Sequence, residues 1–321
     1  VNAAAKLGVY AAGLVVVFGG ALGLGGLAGP GAPPPAKGHS STHAGEGASE
    51  PAGEHTHGET DESSSDTPGG LQVSQNGFTL TPVATAFKAG EPIDFRFTVT
   101  RADGRPVTDF DVNHDKKMHF IVVSRDLTEF QHLHPVQKGG EWSIPLTLPK
   151  GGPYRAFADF VPSGHLGLTL GIDLGAAGDY APAPLPAVSR TAQVDGYTVT
   201  LDGELTPGLA SKLTLRVEKD GKPVTDLERY LGAYGHLVAL RAGDLAYLHV
   251  HPEESGAAGP EIAFYAEVPS GGDYRLFLDF QHKGKVRTAD FTARTAPAKG
   301  TPEPAASAES TESAESPGHG H

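Results

Sequence analysis

The strongest constraint on this chain is an internal duplication. Asp103-Gly104-Arg105-Pro106-Val107-Thr108-Asp109 recurs as Asp220-Gly221-Lys222-Pro223-Val224-Thr225-Asp226. At the same offset of 117, His119 meets His236, and Phe130-Gln131-His132-Leu133-His134-Pro135 meets Tyr247-Leu248-His249-Val250-His251-Pro252. After three extra residues in the second copy, Gly151-Gly152-Pro153-Tyr154-Arg155-Ala156-Phe157-Ala158-Asp159-Phe160 meets Gly271-Gly272-Asp273-Tyr274-Arg275-Leu276-Phe277-Leu278-Asp279-Phe280. So long a period specifies two tandem domains, not a solenoid. The boundary falls in the Ala/Pro-rich stretch Ala181–Ala187. This gives units at 71–186 and 187–295, each about 110 residues, an ordinary domain size.

Each unit reads as short strands separated by turns. Phe95–Val99 and Leu213–Val217 alternate with period two, and Asp-Gly before Arg/Lys-Pro is a turn signal. Phe120-Ile121-Val122-Val123 and Leu237-Val238-Ala239-Leu240 are continuous apolar runs, suited to strands buried on both faces. No three-turn helical period interrupts residues 71–295, so the expected class is all-β, two tandem immunoglobulin-like β-sandwiches. The tyrosine that enters a late strand after Gly-Gly, Tyr154 and Tyr274, matches the tyrosine corner of such sandwiches.

The flanks differ in kind. Residues 37–70 hold seven acids and one lysine, and 296–321 hold four acids and one lysine. Both are rich in Ser, Pro, Gly and Ala with almost no large apolar residue, so 30–70 and 296–321 are expected to be disordered. Residues 7–29 carry no charge and as a helix would be about 34 Å long, enough to cross a bilayer. A retained anchor at 1–29 and a cleaved signal peptide compete; the length of the apolar run and the prolines after it favour the anchor. The bulk of the chain is then expected outside the cytoplasm, on a single-pass stalk at the cell membrane.

The formal charge of −13 argues against nucleic acid as partner. With no cysteine, there is no disulfide, thiolate metal site or thiol nucleophile. No nucleophile elbow, phosphate-cradling loop or His-Glu-x-x-His helix is present, so no enzymatic activity is expected.

What stands out chemically is histidine. His-x-His-Pro occurs in both units, with another histidine 13 residues upstream. On a strand, i and i+2 side chains share a face. Ser124–Glu129 reads as a hairpin loop, which would bring His119 beside His134 and, by the same logic, His236 beside His251. Each unit would then gather three imidazoles: His119, His132 and His134, or His236, His249 and His251. Such sets suit zinc or copper rather than calcium or magnesium. Asp159 and Asp279 are candidate carboxylate ligands or acceptors for an imidazole N–H. The first unit adds Met118, a soft thioether beside His119, together with His114 and His165, so a soft ion such as Cu(I) would favour it. Equally, a histidine in a sandwich can simply satisfy backbone carbonyls.

The run Met118–Val123, with Phe130–Pro135 and Tyr154–Phe160, resembles extracytoplasmic immunoglobulin-like domains of actinobacterial membrane-anchored proteins. In general style it is similar to YtkA-like and CopC-like β-sandwiches, and that resemblance implies copper handling. The chain departs from the CopC-like pattern in having neither a mature N-terminal histidine ligand nor a methionine-rich loop. Two functions stand side by side: a membrane-anchored extracytoplasmic metal-binding protein, with copper first, and an interaction module whose histidines are structural and whose ligand is a protein. In the first, three imidazoles with ordinary pKa values would make affinity fall steeply between pH 7.5 and 5.5.

Overall fold

The computed structural model of the protein describes residues 67–296, apart from His249 and 254–256. The apolar segment at 7–29, residues 30–66 and the tail from 297 lie outside the described residues. No helix among the described residues is long and apolar enough to cross a membrane. The chain there is built of strands and turns alone.

The first sandwich has one sheet in the order Ser74–Gln75, Phe78–Pro82, Pro92–Arg101, Glu141–Thr147, Val136–Lys138. Its second sheet runs Ala86–Lys88, Leu168–Ala177, Gly152–Pro162, His119–Ser124, Phe130–Leu133, and Phe110–Asp111 also pairs with Gly152–Pro162. The second sandwich repeats the plan. One sheet runs Thr191–Val194, Tyr197–Asp202, Ala210–Lys219, Glu261–Glu267, Val250–Pro252, and the other Tyr247–Leu248, Gly235–Arg241, Asp273–His282, Lys285–Arg294. The main strand orders agree; the first sandwich adds Ala86–Lys88, parallel to Leu168–Ala177, and Phe110–Asp111, and the second adds Lys222–Pro223 beside Ala210–Lys219.

Period-two alternation explains both cores. Along Gly152–Pro162, Tyr154, Ala156, Ala158 and Phe160 enter a core with Phe95, Phe97, Phe120 and Trp142. Along Asp273–His282, Tyr274, Leu276, Leu278 and Phe280 do the same with Tyr197, Leu215, Phe264 and Phe291. Both tyrosine corners are closed: the Tyr154 hydroxyl donates to the Lys150 carbonyl at 2.9 Å, and that of Tyr274 to the Ser270 carbonyl at 2.7 Å.

The residues between these core positions point the other way and find a third cluster. Ile121, Val123, Leu127 and Phe157 from the first sandwich pack against Val238, Leu240, Leu245, Tyr247 and Phe277 from the second. Both sandwiches belong to one compact unit, and their inner sheets lie back to back. The joint is quasi-two-fold, because repeat-equivalent residues exchange roles across it. Phe130 stacks on Phe277 at 4.1 Å and 5°, and the exchanged pair, Tyr247 and Phe157, packs at 5.6 Å. The lead-in segment closes one side: the Tyr247 N–H donates to the Gly69 carbonyl at 2.9 Å, and Arg155 Nη2 donates to the Gly70 carbonyl at 2.6 Å. Gly70 has φ +75°, and a Cβ there would stand 2.4 Å from the Phe157 ring, so only glycine fits.

Trp142, the only tryptophan, reports on the first sandwich. Tyr154→Phe should lower stability by about 1 kcal/mol, the net worth of a typical buried hydrogen bond. Urea denaturation followed by Trp142 fluorescence checks this; an unchanged midpoint would mean that the corner contributes nothing.

Candidate metal centre

The hairpin between His119–Ser124 and Phe130–Leu133 sets the site. The Ser124 N–H donates to the Glu129 carbonyl at 3.0 Å, the Ser124 hydroxyl oxygen accepts from the Glu129 N–H at 2.9 Å, and Leu127 takes φ 62° at the tip. The register Phe120↔Leu133 and Ile121↔His132 follows. It carries His119 to a place opposite His134, and their ring centroids lie 5.2 Å apart. Phe120 and Val122 face the first core, so His119, Ile121 and Val123 face the joint.

His119, His132 and His134 each offer a ring nitrogen, all within 4.8 Å of one another. His119 Nε2–H donates to the Asn113 carbonyl at 3.0 Å; a carbonyl only accepts, so the proton sits on Nε2 and Nδ1 carries a lone pair. His132 Nδ1–H donates to Asp279 Oδ2 at 2.8 Å, which in the neutral ring leaves Nε2 as the lone-pair nitrogen. These two nitrogens, His119 Nδ1 and His132 Nε2, face each other at 3.1 Å. Two lone pairs at that distance repel unless a proton or a metal ion lies between them. His134 Nε2 is buried and has no hydrogen-bond partner.

The remaining candidates fall in different places. Met118 is 1% exposed within the first core, because consecutive residues of a strand point to opposite faces; it is not beside the imidazoles. Asp159 is the cross-strand neighbour of His119 and accepts from the Thr169 hydroxyl at 2.9 Å, outside the triad. His165 packs edge-on against Phe78 at 5.1 Å, away from the site.

Among the described residues, the second unit's histidines His236 and His251 lie on different sheets. His236 stacks on His119 at 5.1 Å and 12°, and its ring lies 4.7 Å from that of His132, so it joins the first unit's cluster across the joint. His251 is exposed on Val250–Pro252, which pairs with Glu261–Glu267 in the other sheet. The cause is where the chain changes sheets. In the first unit Leu133 still pairs with Phe120, whereas its equivalent Val250 has already crossed to pair with Ala266. His249 lies outside the described residues.

Three further groups belong to the site. His114, at φ 48°, has its ring 6.2 Å from that of His119 and 5.6 Å from that of His236. It also lines a cavity of ≈ 610 Å³ with Asp115, Arg229, Leu231 and Tyr234. Tyr230 reaches His134 from the second sandwich at 6.3 Å between rings. Asp279, read from the sequence as a possible acceptor of an imidazole N–H, serves a histidine of the opposite sandwich. No sequence motif marked Tyr230 or the crossing of Asp279.

Burial pushes the His119 imidazole down to about 4, opposed only in part by its bond to the Asn113 carbonyl. Burial, assisted by the neighbouring imidazoles of His132 and His119, takes His134 down to about 3. The same cause holds His236 well below the usual value and also lowers His114. At neutral pH the imidazoles of His119 and His134 are uncharged. The steep loss of affinity expected between pH 7.5 and 5.5 therefore does not apply to His119 and His134, whose protonation lies lower.

These shifts also govern the metal-free protein. In the unfolded chain a histidine titrates near 6.5. The folded state binds fewer protons below that value, so stability is full above about pH 6.5 and is lost as pH falls toward about 4. His134→Gln should make this loss shallower. Thermal unfolding of metal-free parent and variant at pH 7.5, 6.0 and 4.5 tests it, and identical slopes would show that His134 is not held neutral.

The model of one family, described as a domain of unknown function (DUF8832), matches residues 72–169 and 192–297. No curated protein matches the chain. Among solved structures, it is similar to the Escherichia coli adhesin FdeC at 14% identity and TM-score 0.25, over 70% of this chain and 65% of that one. It is also similar to the Yersinia pseudotuberculosis adhesin InvE at 12% identity and TM-score 0.23, over 69% of this chain and 60% of that one. The D0-D1 domain of intimin matches at 13% identity and TM-score 0.20, over 67% and 97% of the two chains. The chain thus spans under two thirds of FdeC and InvE.

Proposed function

We propose that this chain, which belongs to the DUF8832 family through both of its sandwiches, is a non-catalytic metal-binding protein. Its ligands are His119, His132 and His134, and its ion is a borderline divalent metal, copper(II) or zinc. The observation that carries this reading is the 3.1 Å approach of His119 Nδ1 to His132 Nε2, with both partner nitrogens already committed elsewhere. Ligand nitrogens on a tetrahedral ion lie about 3.3 Å apart, given metal–nitrogen bonds of about 2.0 Å. Both histidines donate their other N–H to a carbonyl or carboxylate, the arrangement that orients imidazole ligands in metal sites.

A contrast within the same chain supports the assignment. His282 is also buried, but its Nδ1 pairs with the Tyr197 hydroxyl at 2.7 Å and its Nε2 with Asp226 at 3.1 Å. Both nitrogens of that histidine are satisfied, as a structural role requires. His134 Nε2 is not. With Met118 in the core, the donor set is all imidazole, and the case for Cu(I) loses its thioether. The uncharged segment at 7–29 supports a membrane-anchored, extracytoplasmic setting for the site.

A second reading is an interaction module in which the histidines only cement the sandwiches. It is favoured by the placement of the cluster on the joint, with His132 bonded to Asp279 of the other sandwich. Isothermal titration of the full chain with zinc and copper(II) separates the two. A tight site should be present in the parent and lost in the His132→Ala/His134→Ala variant, above the background of the tail histidines. Met118→Leu should leave affinity unchanged. From pH 7.5 to 5.5 affinity should fall less steeply than three ordinary imidazoles would give, since His119 and His134 are unprotonated throughout. Equal titrations for parent and double variant would give first place to the interaction module.

A further inference from the structure

The triad is supplied by one sandwich, but what orients and roofs it comes from the other. Asp279, on Asp273–His282, accepts the Nδ1–H of His132, and both side chains are almost fully buried, at 4% and 2% exposure. His236, on Gly235–Arg241, lies flat on His119. Phe130 shares a strand face with His132 and stacks on Phe277, which shares a face with Asp279. The short strand Phe130–Leu133 is thus gripped at two points by the second sandwich. Its tip is gripped as well: the Arg125 guanidinium donates to the Gly243 carbonyl, and Arg275 Nε donates to the Leu127 carbonyl at 3.4 Å.

This has a mechanical consequence. The ring plane of His132, and so the direction of its Nε2 lone pair, is set by a carboxylate that moves with the second sandwich. If the sandwiches part, His132 loses its acceptor, His119 loses its stacked neighbour, and the 3.1 Å approach has nothing to hold it. Conversely, an ion fixed on His132 and His119 holds the surfaces that grip Asp279 and His236.

Resting on the metal-binding reading above, we propose that the triad is a composite site. Asp279 and His236 act as positioning residues, and ion binding and docking of the two sandwiches are one linked equilibrium. Linkage is reciprocal. Whatever tightens the joint raises affinity for the ion, and the ion tightens the joint by the same factor. The second copy of the duplication thereby sets the affinity of the first.

Hydrogen exchange of the full chain with and without zinc tests this directly and needs no variant. Protection should rise on His119–Leu133 and also on Gly235–Arg241 and Asp273–His282 of the second sandwich. Phe277→Ala, which touches no candidate ligand, should weaken zinc binding by about tenfold. Asp279→Asn should weaken it by about 10- to 100-fold, the range for loss of a ligand's orienting partner. Tyr274→Phe, which destabilises the second sandwich away from the joint, should leave affinity unchanged. If zinc binds and His132→Ala abolishes it, yet protection stays within the first sandwich and the Phe277 and Asp279 variants bind as the parent does, the linkage is wrong and the metal reading stands. If neither zinc nor copper(II) binds the parent, both fall.

Discussion

Back-to-back packing of the two inner sheets organises the rest of this molecule. A two-sheet sandwich ordinarily buries one face of each sheet and wets the other. Here the outer faces of His119–Ser124 and Gly152–Pro162 meet those of Gly235–Arg241 and Asp273–His282. Ile121, Val123, Phe157, Val238, Leu240 and Phe277 leave water together, each worth roughly 1.5–3 kcal/mol when fully buried. Along one margin of that apolar contact the same face carries His119, His132, His236 and Asp279. Polar groups in that setting are costly unless paired. Asp279 pairs with His132 and Thr288, and His119 with Asn113, which leaves His134 Nε2 and the point where the His119 and His132 lone pairs meet unmatched.

Much of this was written in the sequence in a form that alternation alone could read. The duplication implied two sandwiches of one plan, and the main strand orders agree apart from the short strands Ala86–Lys88, Phe110–Asp111 and Lys222–Pro223. Phe120–Val123, apolar at every position, implied a strand covered on both sides, and every residue of His119–Ser124 is buried. The missing inference was what covers it: a two-layer sandwich cannot bury both faces of its own strand, so a third layer was required. The other copy, carrying the matching run Leu237–Leu240, supplies it. Met118 was open to correction from the same rule. Neighbouring residues on a strand cannot share a face, so Met118 and His119 could not serve one ion.

What was not legible depends on tertiary placement. The two His-x-His-Pro motifs are alike in spacing, and nothing local says that one chain stays with its sheet through Leu133 while the other has crossed by Val250. That difference, set by how each strand reaches the facing sheet, sends His251 to solvent and keeps His134 inside. Nor could pattern reveal that Asp279 would serve His132, 147 residues away. Such a contact exists only because the two sandwiches meet on their equivalent faces.

A quasi-two-fold joint between two copies offers every position twice, so identical copies would build two identical sites. This chain breaks the equivalence where it matters. His114 faces Leu231 in the repeat alignment, Asn113 faces Tyr230, and Met118 faces Gly235. Asn113 contributes its carbonyl to His119, whereas Tyr230, in the equivalent place, leans over His134 of the opposite sandwich. Among the described residues a single triad results. His236 instead stacks on His119, its own repeat equivalent. Duplication followed by divergence thus separates two requirements that conflict within a single sandwich. One copy presents lone pairs toward a shared point, and the other supplies the acceptors and flat surfaces that aim them.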